Sequence, residues 1–220
     1  MKYSTSQENY IKAIFHLQLE KGIVSTNALA IALQTRPASV TDMLKKLKEQ
    51  KLLQYERYRG FRLTAEGKKV AIQIIRKHRL WEYFLVEKLQ FGWDEVHEIA
   101  EELEHISSRK LVDRLDAFLG YPKADPHGDP IPDPQGKFNT SRAFSLNDQP
   151  VNKPMLVAGV ASQTTGMLEM LRIKQIRIGT RLEIKKRFPF DNSIELKIKN
   201  LPPVTISEQV AKNILVTEDE

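Results

Sequence analysis

Cysteine is absent from this 220-residue chain, and that absence removes several chemistries at once. There can be no disulfide framework, no thiolate nucleophile and no Cys-based zinc or iron–sulfur site, so any metal must be held mainly by nitrogen and oxygen. Attention therefore falls on His, Asp and Glu. The chain also lacks the run of about eighteen apolar residues that a membrane span needs, and it has no charged-then-apolar segment at Met1. Nothing predicts membrane insertion or export, and a cytoplasmic location is expected. An HExxH pattern is missing too, which weighs against a helical zinc hydrolase. Acid is in deficit: the formal net charge is +6 and the pI near 9.4, a bias toward polyanionic partners that says nothing of fold. The hydrophobic content, 41%, is ordinary for a globular protein, and the length suits one large or two small domains; at least two are expected.

What is present is organised around His97-Glu98-Ile99-Ala100-Glu101-Glu102-Leu103-Glu104-His105. On a helix, His97, Glu101, Glu104 and His105 fall at i, i+4, i+7 and i+8, so two imidazoles and two carboxylates share one stripe. That stripe is a candidate row of metal ligands. His78 and Glu82 repeat the i, i+4 spacing upstream. For any one pair, a salt-bridged helix surface is the better explanation; two pairs in neighbouring helices favour the ligand reading.

In chain order, residues 4 to 20 read as a first helix with a Ser or Thr cap and apolar Tyr10, Ile11, Ile14, Phe15 and Leu17. Lys21-Gly22 ends it, and Ser25-Thr26-Asn27 starts a short second helix that stops near Gln34-Thr35. A third opens at Arg36-Pro37 with proline in its first turn and places Val40, Met43, Leu44 and Leu47 inward. Two helices joined by a short turn, the second opening in small polar residues and trailing into Lys, is the pattern of a helix-turn-helix. The alternating stretch Leu52 to Leu63, turning at Arg59-Gly60, reads as a hairpin and would be its wing. Thr35, Arg36, Pro37, Ala38, Ser39 and Thr41 stand where base edges are usually met. Lys45, Lys46, Arg57 and Arg59 are better placed for phosphates. A solvated basic hairpin is the alternative for the wing.

Thr64 to Gly67 caps a long helix running to about Leu89. Asp94 is expected to cap the helix bearing His97, and Ser107-Ser108 another through Leu111, Leu115, Phe118 and Leu119, whose excess apolar surface is a candidate dimer interface. From Gly120 to Pro134 the density of proline excludes helix and central strand. Asp125, His127 and Asp129 alternate there, and Asp125 and His127 are weaker candidate ligands beside the simpler reading of an ordered loop. Beyond Met155, short alternating segments around residues 156–160, 181–186, 194–199 and 204–206, a helix over 166–173 and a closing strand at 214–216 suggest a small β-barrel. The predicted class is mainly α with small β. Its parts are a head at 1–64, a helical domain at 65–139 and a linker with barrel at 140–220.

Nearly the whole chain resembles the diphtheria toxin repressor family of metal-dependent transcriptional regulators, particularly its manganese-responsive branch. The likeness rests on Arg36-Pro37-Ala38-Ser39-Val40-Thr41, on Tyr58-Arg59-Gly60 with Leu63-Thr64, and on Arg76-Lys77-His78-Arg79-Leu80 with Glu82. It extends to His97, Glu101 and Glu104-His105, to Gly120-Tyr121-Pro122 with Pro126-His127-Gly128, and to Ile178-Gly179-Thr180. Any one of these is weak; together they are specific. The resemblance implies a winged helix-turn-helix head, a helical metal-binding and dimerisation domain and a C-terminal SH3-like β-barrel, with metal as corepressor. It implies a homodimer on a palindromic operator in double-stranded DNA. By position, Glu101, Glu104 and His105 match primary-site ligands, while His78, Glu82 and His97 form or complete a neighbouring site. Glu at 101, where iron-responsive relatives carry Cys, favours the harder Mn²⁺, with Fe²⁺ next and Zn²⁺ able to bind in vitro.

Two positions depart from the family pattern. Asn9 stands where a Met or Asp ligand is usual, and Lys12 where the manganese branch has Glu. They point to a primary site that is weaker, differently coordinated, or dependent on Glu8. No family ligand from the barrel is matched except by a guess at Glu169. The competing readings are a metal-independent winged-helix regulator, in which the His/Glu row is merely packed, and behind it a metallohydrolase.

Overall fold

The structure, a computed structural model, describes residues 3–56, 59–139 and 142–219, and the chain divides into two compact units. The first comprises 1–81, 100–121 and 131–138, the second 82–99, 122–130 and 139–220.

In the first unit, α1 (Thr5–Lys21) is fixed at its start by a reciprocal capping box: the Ser4 hydroxyl accepts from the Gln7 amide, and the Gln7 side chain accepts from the Ser4 amide. Its buried face is Tyr10, Ile11, Ile14 and Phe15, and it stops at Gly22, whose φ of 74° suits glycine. Ser25 caps α2 (Thr26–Ala32), which buries Leu29 and Ala30. A turn through Gln34 leads into α3 (Pro37–Glu49), which buries Val40, Leu44 and Leu47 at helical spacing. β1 (Leu53–Glu56) and β2 (Gly60–Leu63) pair antiparallel, with Leu53 opposite Leu63 and Phe61 opposite Tyr55. Phe61 also exchanges both backbone hydrogen bonds with Val24, 2.9 Å each, so the hairpin is stitched to the residue between α1 and α2. This winged helix-turn-helix is the one expected. Arg57, expected on the wing, lies outside the described residues.

The long helix α4 (Ala65–Glu87) starts in this unit and ends in the second. α6 (Arg109–Phe118) is capped by Ser108 and leaves Leu111 and Phe118 exposed. Buried Arg76 donates to Asp116 at 2.8 Å and to the Pro132 carbonyl at 3.0 Å, tying α4, α6 and the proline-rich segment together. Removing one partner of such a buried pair costs about 3–5 kcal/mol.

The second unit is built on a six-stranded sheet. Its strands are β3 (Phe144–Ser145), β4 (Pro154–Val160), β5 (Arg181–Arg187), β6 (Ile194–Ile198), β7 (Val204–Ile206) and β8 (Ile214–Glu218), in the order β3-β8-β4-β5-β6-β7 with every pairing antiparallel. The core is Met155, Val157, Leu182, Ile184, Leu196 and Val216 with Leu168 and Leu171 from α7 (Thr165–Ile173). The predicted strands and helix are present in an SH3-like arrangement, but the sheet does not close into a barrel. Its outermost strands are only two and three residues long. The segment at 214–216 lies inside the sheet between β3 and β4, and α8 (Glu208–Asn213) precedes it, unsignalled because six residues hold too little periodicity to read.

The element α5 (Val96–Leu103) corrects two expectations. Asp94 does not cap it; its carboxylate pairs with Arg172 at 3.3 Å. The helix also stops before Glu104, so Glu104 and His105 stand beyond its end and the four-residue stripe does not run along one helix face.

Gly60 is a tight point of the head. Its φ is 133°, and a Cβ there would lie 2.2 Å from the Val24 carbonyl oxygen. Gly60→Ala is expected to destabilise the head by about 2 kcal/mol or more, seen as a lower urea midpoint for loss of helix signal. An unchanged midpoint would contradict this packing.

Candidate metal centres and nucleic-acid interface

Three groups of side chains stand out, each lying within one compact unit. The first gathers around Glu104, 1% exposed, at the end of α5. His78 Nδ1 from α4 lies 2.7 Å from Glu104 Oε2, and the Lys12 ammonium from α1 lies 2.7 Å from the same oxygen and 3.4 Å from Glu101 Oε1. His105 Nδ1 is 2.6 Å from Glu8 Oε2, and Lys77 Nζ is 3.9 Å from that oxygen. Burial alone would push the Glu104 carboxyl up; the His78 hydrogen bond and the Lys12 charge outweigh it and hold the group below its ordinary value. Burial pulls Lys77 down, with Glu8 and Glu104 opposing. Asn9, one residue beyond Glu8, is exposed, so α1 brings Glu8 rather than Asn9 to His105. The i, i+4 relation of Glu8 to Lys12 on one helix was available in the sequence; that both would face residues 101–105 was not.

Glu104 Oε1 is buried without a hydrogen-bond partner. A desolvated carboxylate oxygen left in that state costs free energy unless something positive meets it. The surrounding donors, carboxylate oxygen and imidazole nitrogen, suit a divalent cation of Mn²⁺ or Fe²⁺ hardness. The residues therefore fit the group that this chemistry implies.

The second group lies in the other unit. Glu82, Asp125 and His127 are all buried and offer ligand atoms within 4.8 Å of one another. His97 Nδ1 lies 3.2 Å from Glu82 Oε1, with His97 half exposed. His127 Nε2 is 2.7 Å from the Trp93 carbonyl oxygen, which can only accept. The proton is thereby fixed on Nε2, and Nδ1 presents its lone pair, buried and without a hydrogen-bond partner, with Glu82 Oε2 at 3.8 Å. The Trp93 indole stacks on the ring at 6.0 Å between centroids. Asp125 Oδ1 accepts from the amides of His127 at 2.8 Å and Asp129 at 3.0 Å, so one carboxylate oxygen shapes the loop. Gly128, at φ 92°, lets the loop meet β4 where a Cβ would strike the Ala158 carbonyl oxygen. Sequence reasoning missed the orienting role of Trp93, because a main-chain carbonyl leaves no residue-type signal.

The third group is the start of α3. Arg36, Pro37, Ala38, Ser39, Thr41, Lys45 and Lys46 are exposed and Thr35 is half-buried. Arg36 occupies the N-cap position without a side-chain hydrogen bond to the first turn, and Pro37 follows at N1, so the following amides are left for another acceptor. Thr41 donates to the Pro37 carbonyl at 3.0 Å, and Lys45 pairs loosely with Asp42 at 3.3 Å. Arg59 is exposed in the wing turn.

Comparison with known proteins matches three consecutive stretches. Residues 2–61 match the model of the iron-dependent repressor N-terminal DNA-binding domain, residues 64–133 that of the iron-dependent repressor metal-binding and dimerisation domain, and residues 144–218 that of the FeoA domain. An HTH-type transcriptional regulator, MntR of Oceanobacillus iheyensis, is 38% identical over 120 residues, which is 54% of this chain and 81% of the relative. The chain belongs to the diphtheria toxin repressor family of metal-dependent transcriptional regulators. Among solved structures, a manganese-dependent transcriptional repressor in complex with manganese superposes with a TM-score of 0.82 at 33% identity, covering 96% of this chain and 99% of the other. ScaR with bound Cd²⁺ gives 0.75 at 30% identity, covering 97% and 99%. As a member of this family it is a metal-dependent DNA-binding regulator and not an enzyme, with a dimerisation domain in its middle third. Among the described residues, no helix is long and apolar enough to cross a membrane.

The geometry at His127 has a direct spectroscopic consequence. Nitrogen NMR of the metal-free protein at neutral pH is expected to show His127 as the Nε2–H tautomer. A proton on Nδ1 would contradict the Trp93 contact.

Proposed function

We propose that this chain is a cytoplasmic, homodimeric repressor of metal-uptake genes that binds a palindromic operator with Mn²⁺ as its physiological corepressor and Fe²⁺ as the next candidate; Zn²⁺ can bind in vitro. The observation that carries the reading is the buried Glu104 oxygen without a hydrogen-bond partner, set among His78, Glu8 and His105 in the same compact unit as the uncapped start of α3. We assign Glu8, Glu101, Glu104, His105 and His78 to one metal centre and Glu82, Asp125, His127 and His97 to a second. The three working parts are 1–64, 65–139 and 140–220, supported by family matches at 2–61, 64–133 and 144–218.

A bound divalent cation supplies positive charge and directional bonds where these carboxylates and imidazoles converge. Glu8 comes from α1, the first helix of the head; His78 comes from α4, and Glu101, Glu104 and His105 from the segment around the end of α5. Holding these three pieces in one arrangement fixes α1, against which α2 and α3 pack through Ile11, Ile14, Leu29 and Leu44. A cation held there would shift the head toward its DNA-binding arrangement only by its differential affinity for that state. In that state Arg36 through Thr41 meet base edges in the major groove, and Lys45, Lys46, Arg57 and Arg59 meet phosphates. Two heads related by a dyad read the two half-sites, with Leu111 and Phe118 of α6 offering exposed apolar surface for the dimer.

DNA binding by the metal-stripped protein, titrated in parallel with Mn²⁺, Fe²⁺ and Zn²⁺ at fixed ionic strength, tests this. Sequence-specific binding is expected only with metal and should be lost in a Glu101→Ala, His105→Ala double variant. Equal binding with and without metal would sink the corepressor reading and favour metal-independent regulation.

The recognition surface has its own test. Lys46→Ala should weaken binding evenly across sequences and lower the salt slope by about one, whereas Ser39→Ala or Thr41→Ala should change sequence preference. A uniform loss at Ser39 and Thr41 would count against this orientation of α3.

A further inference from the structure

Lys12 does not behave as a surface lysine. Its side chain is 15% exposed, and its ammonium bridges Glu104 at 2.7 Å and Glu101 at 3.4 Å, two of the carboxylates assigned above to the first metal centre. Lysine desolvates reluctantly and prefers to keep its charged end in water, so burying it here requires carboxylate partners. From this juxtaposition we propose that Lys12 is a resident cation of the first metal centre, filling the corner between Glu101 and Glu104 so that the cluster accepts a single divalent ion. The proposal rests on the metal-centre reading above.

Charge balance supports it. Glu8, Glu101 and Glu104 face the ammoniums of Lys12 and Lys77, which leaves one net negative charge when the imidazoles are neutral. One divalent ion turns that into a single positive charge. Two would leave three positive charges around a carboxylate that is 1% exposed, where solvent screens little. Glutamate at position 12 would reverse the arithmetic, because four carboxylates against Lys77 alone accept two divalent ions and end at the same single positive charge. The two oxygens of Glu104 divide the labour in the same way: Oε2 is occupied by Lys12 and His78, and Oε1 has no hydrogen-bond partner.

The test uses the full-length metal-stripped protein and Mn²⁺ alone. Bound Mn²⁺ is counted by equilibrium dialysis with elemental analysis, and electron paramagnetic resonance distinguishes isolated from spin-coupled ions. Lys12→Glu is expected to bind one more Mn²⁺ per protomer than wild type and to show a coupled pair absent from wild type. Any ion at the Glu82, Asp125 and His127 cluster cancels in that difference. Lys12→Gln is expected to bind its ion about tenfold or more tighter, because a like charge has gone, yet to melt at a lower temperature when metal-free, because Glu104 has lost its cation. Lys12→Arg should behave as wild type. A spin-coupled pair in wild type, or no added ion in Lys12→Glu, overturns the assignment of Lys12. The metal-centre reading beneath it is judged separately by a Glu104→Gln, His105→Ala control. Loss of one Mn²⁺ there upholds that reading even if Lys12 fails, and no loss overturns both.

Discussion

A carboxylate removed from water must be met by positive charge or by hydrogen-bond donors, and Glu104 imposes that requirement on three parts of the chain. α1 supplies Lys12, α4 supplies His78, and the turn beyond α5 supplies His105 beside the acid itself. Each contact is polar and directional, unlike the apolar packing of Ile11, Ile14 and Leu44 beneath the head, which tolerates small shifts. Polar contacts at a desolvated acid are the more sensitive to what occupies the site. A regulator needs such a point: one where a modest change in local charge alters how two helices are held.

The second cluster meets the same requirement differently. There the donors are preset by main chain: the Trp93 carbonyl fixes the His127 proton, and the amides of His127 and Asp129 hold one oxygen of Asp125. Little has to be reorganised for Nδ1 of His127 to accept a ligand. The first cluster, with two ammoniums among its acids, has compensations to undo. Two clusters built from similar residues therefore differ in what an incoming cation would have to displace.

Most of the fold could be read from periodicity, because long amphipathic helices and alternating strands leave strong patterns. The helices of the head, its wing and the strands of the second unit all follow that logic. What escaped had a physical reason. α8 and the 3-10 turn at Leu146–Asp148 are too short to show a period. The open edges of the sheet depend on the lengths of β3 and β7. The stop of α5 at Leu103 carries no Gly or Pro signal, so the row from His97 to His105 reads as continuous although its last two members stand beyond the helix. The residues proposed as metal ligands stood out by type and by resemblance. Their grouping was not, since the approach of Glu8 to His105 and of Lys12 to Glu104 spans about ninety residues of sequence, with separations of 97 and 92.

The N-cap of α3 bears on how this head can evolve. A Ser, Thr, Asn or Asp at position 36 would satisfy amides that Arg36 leaves open and would add about 1 kcal/mol of stability. The chain forgoes that gain at the exposed helix end proposed above to meet DNA. On the proposed orientation of α3, its most stable sequence and its working sequence are therefore different sequences, and selection for thermal robustness alone would blunt the helix end assigned to DNA.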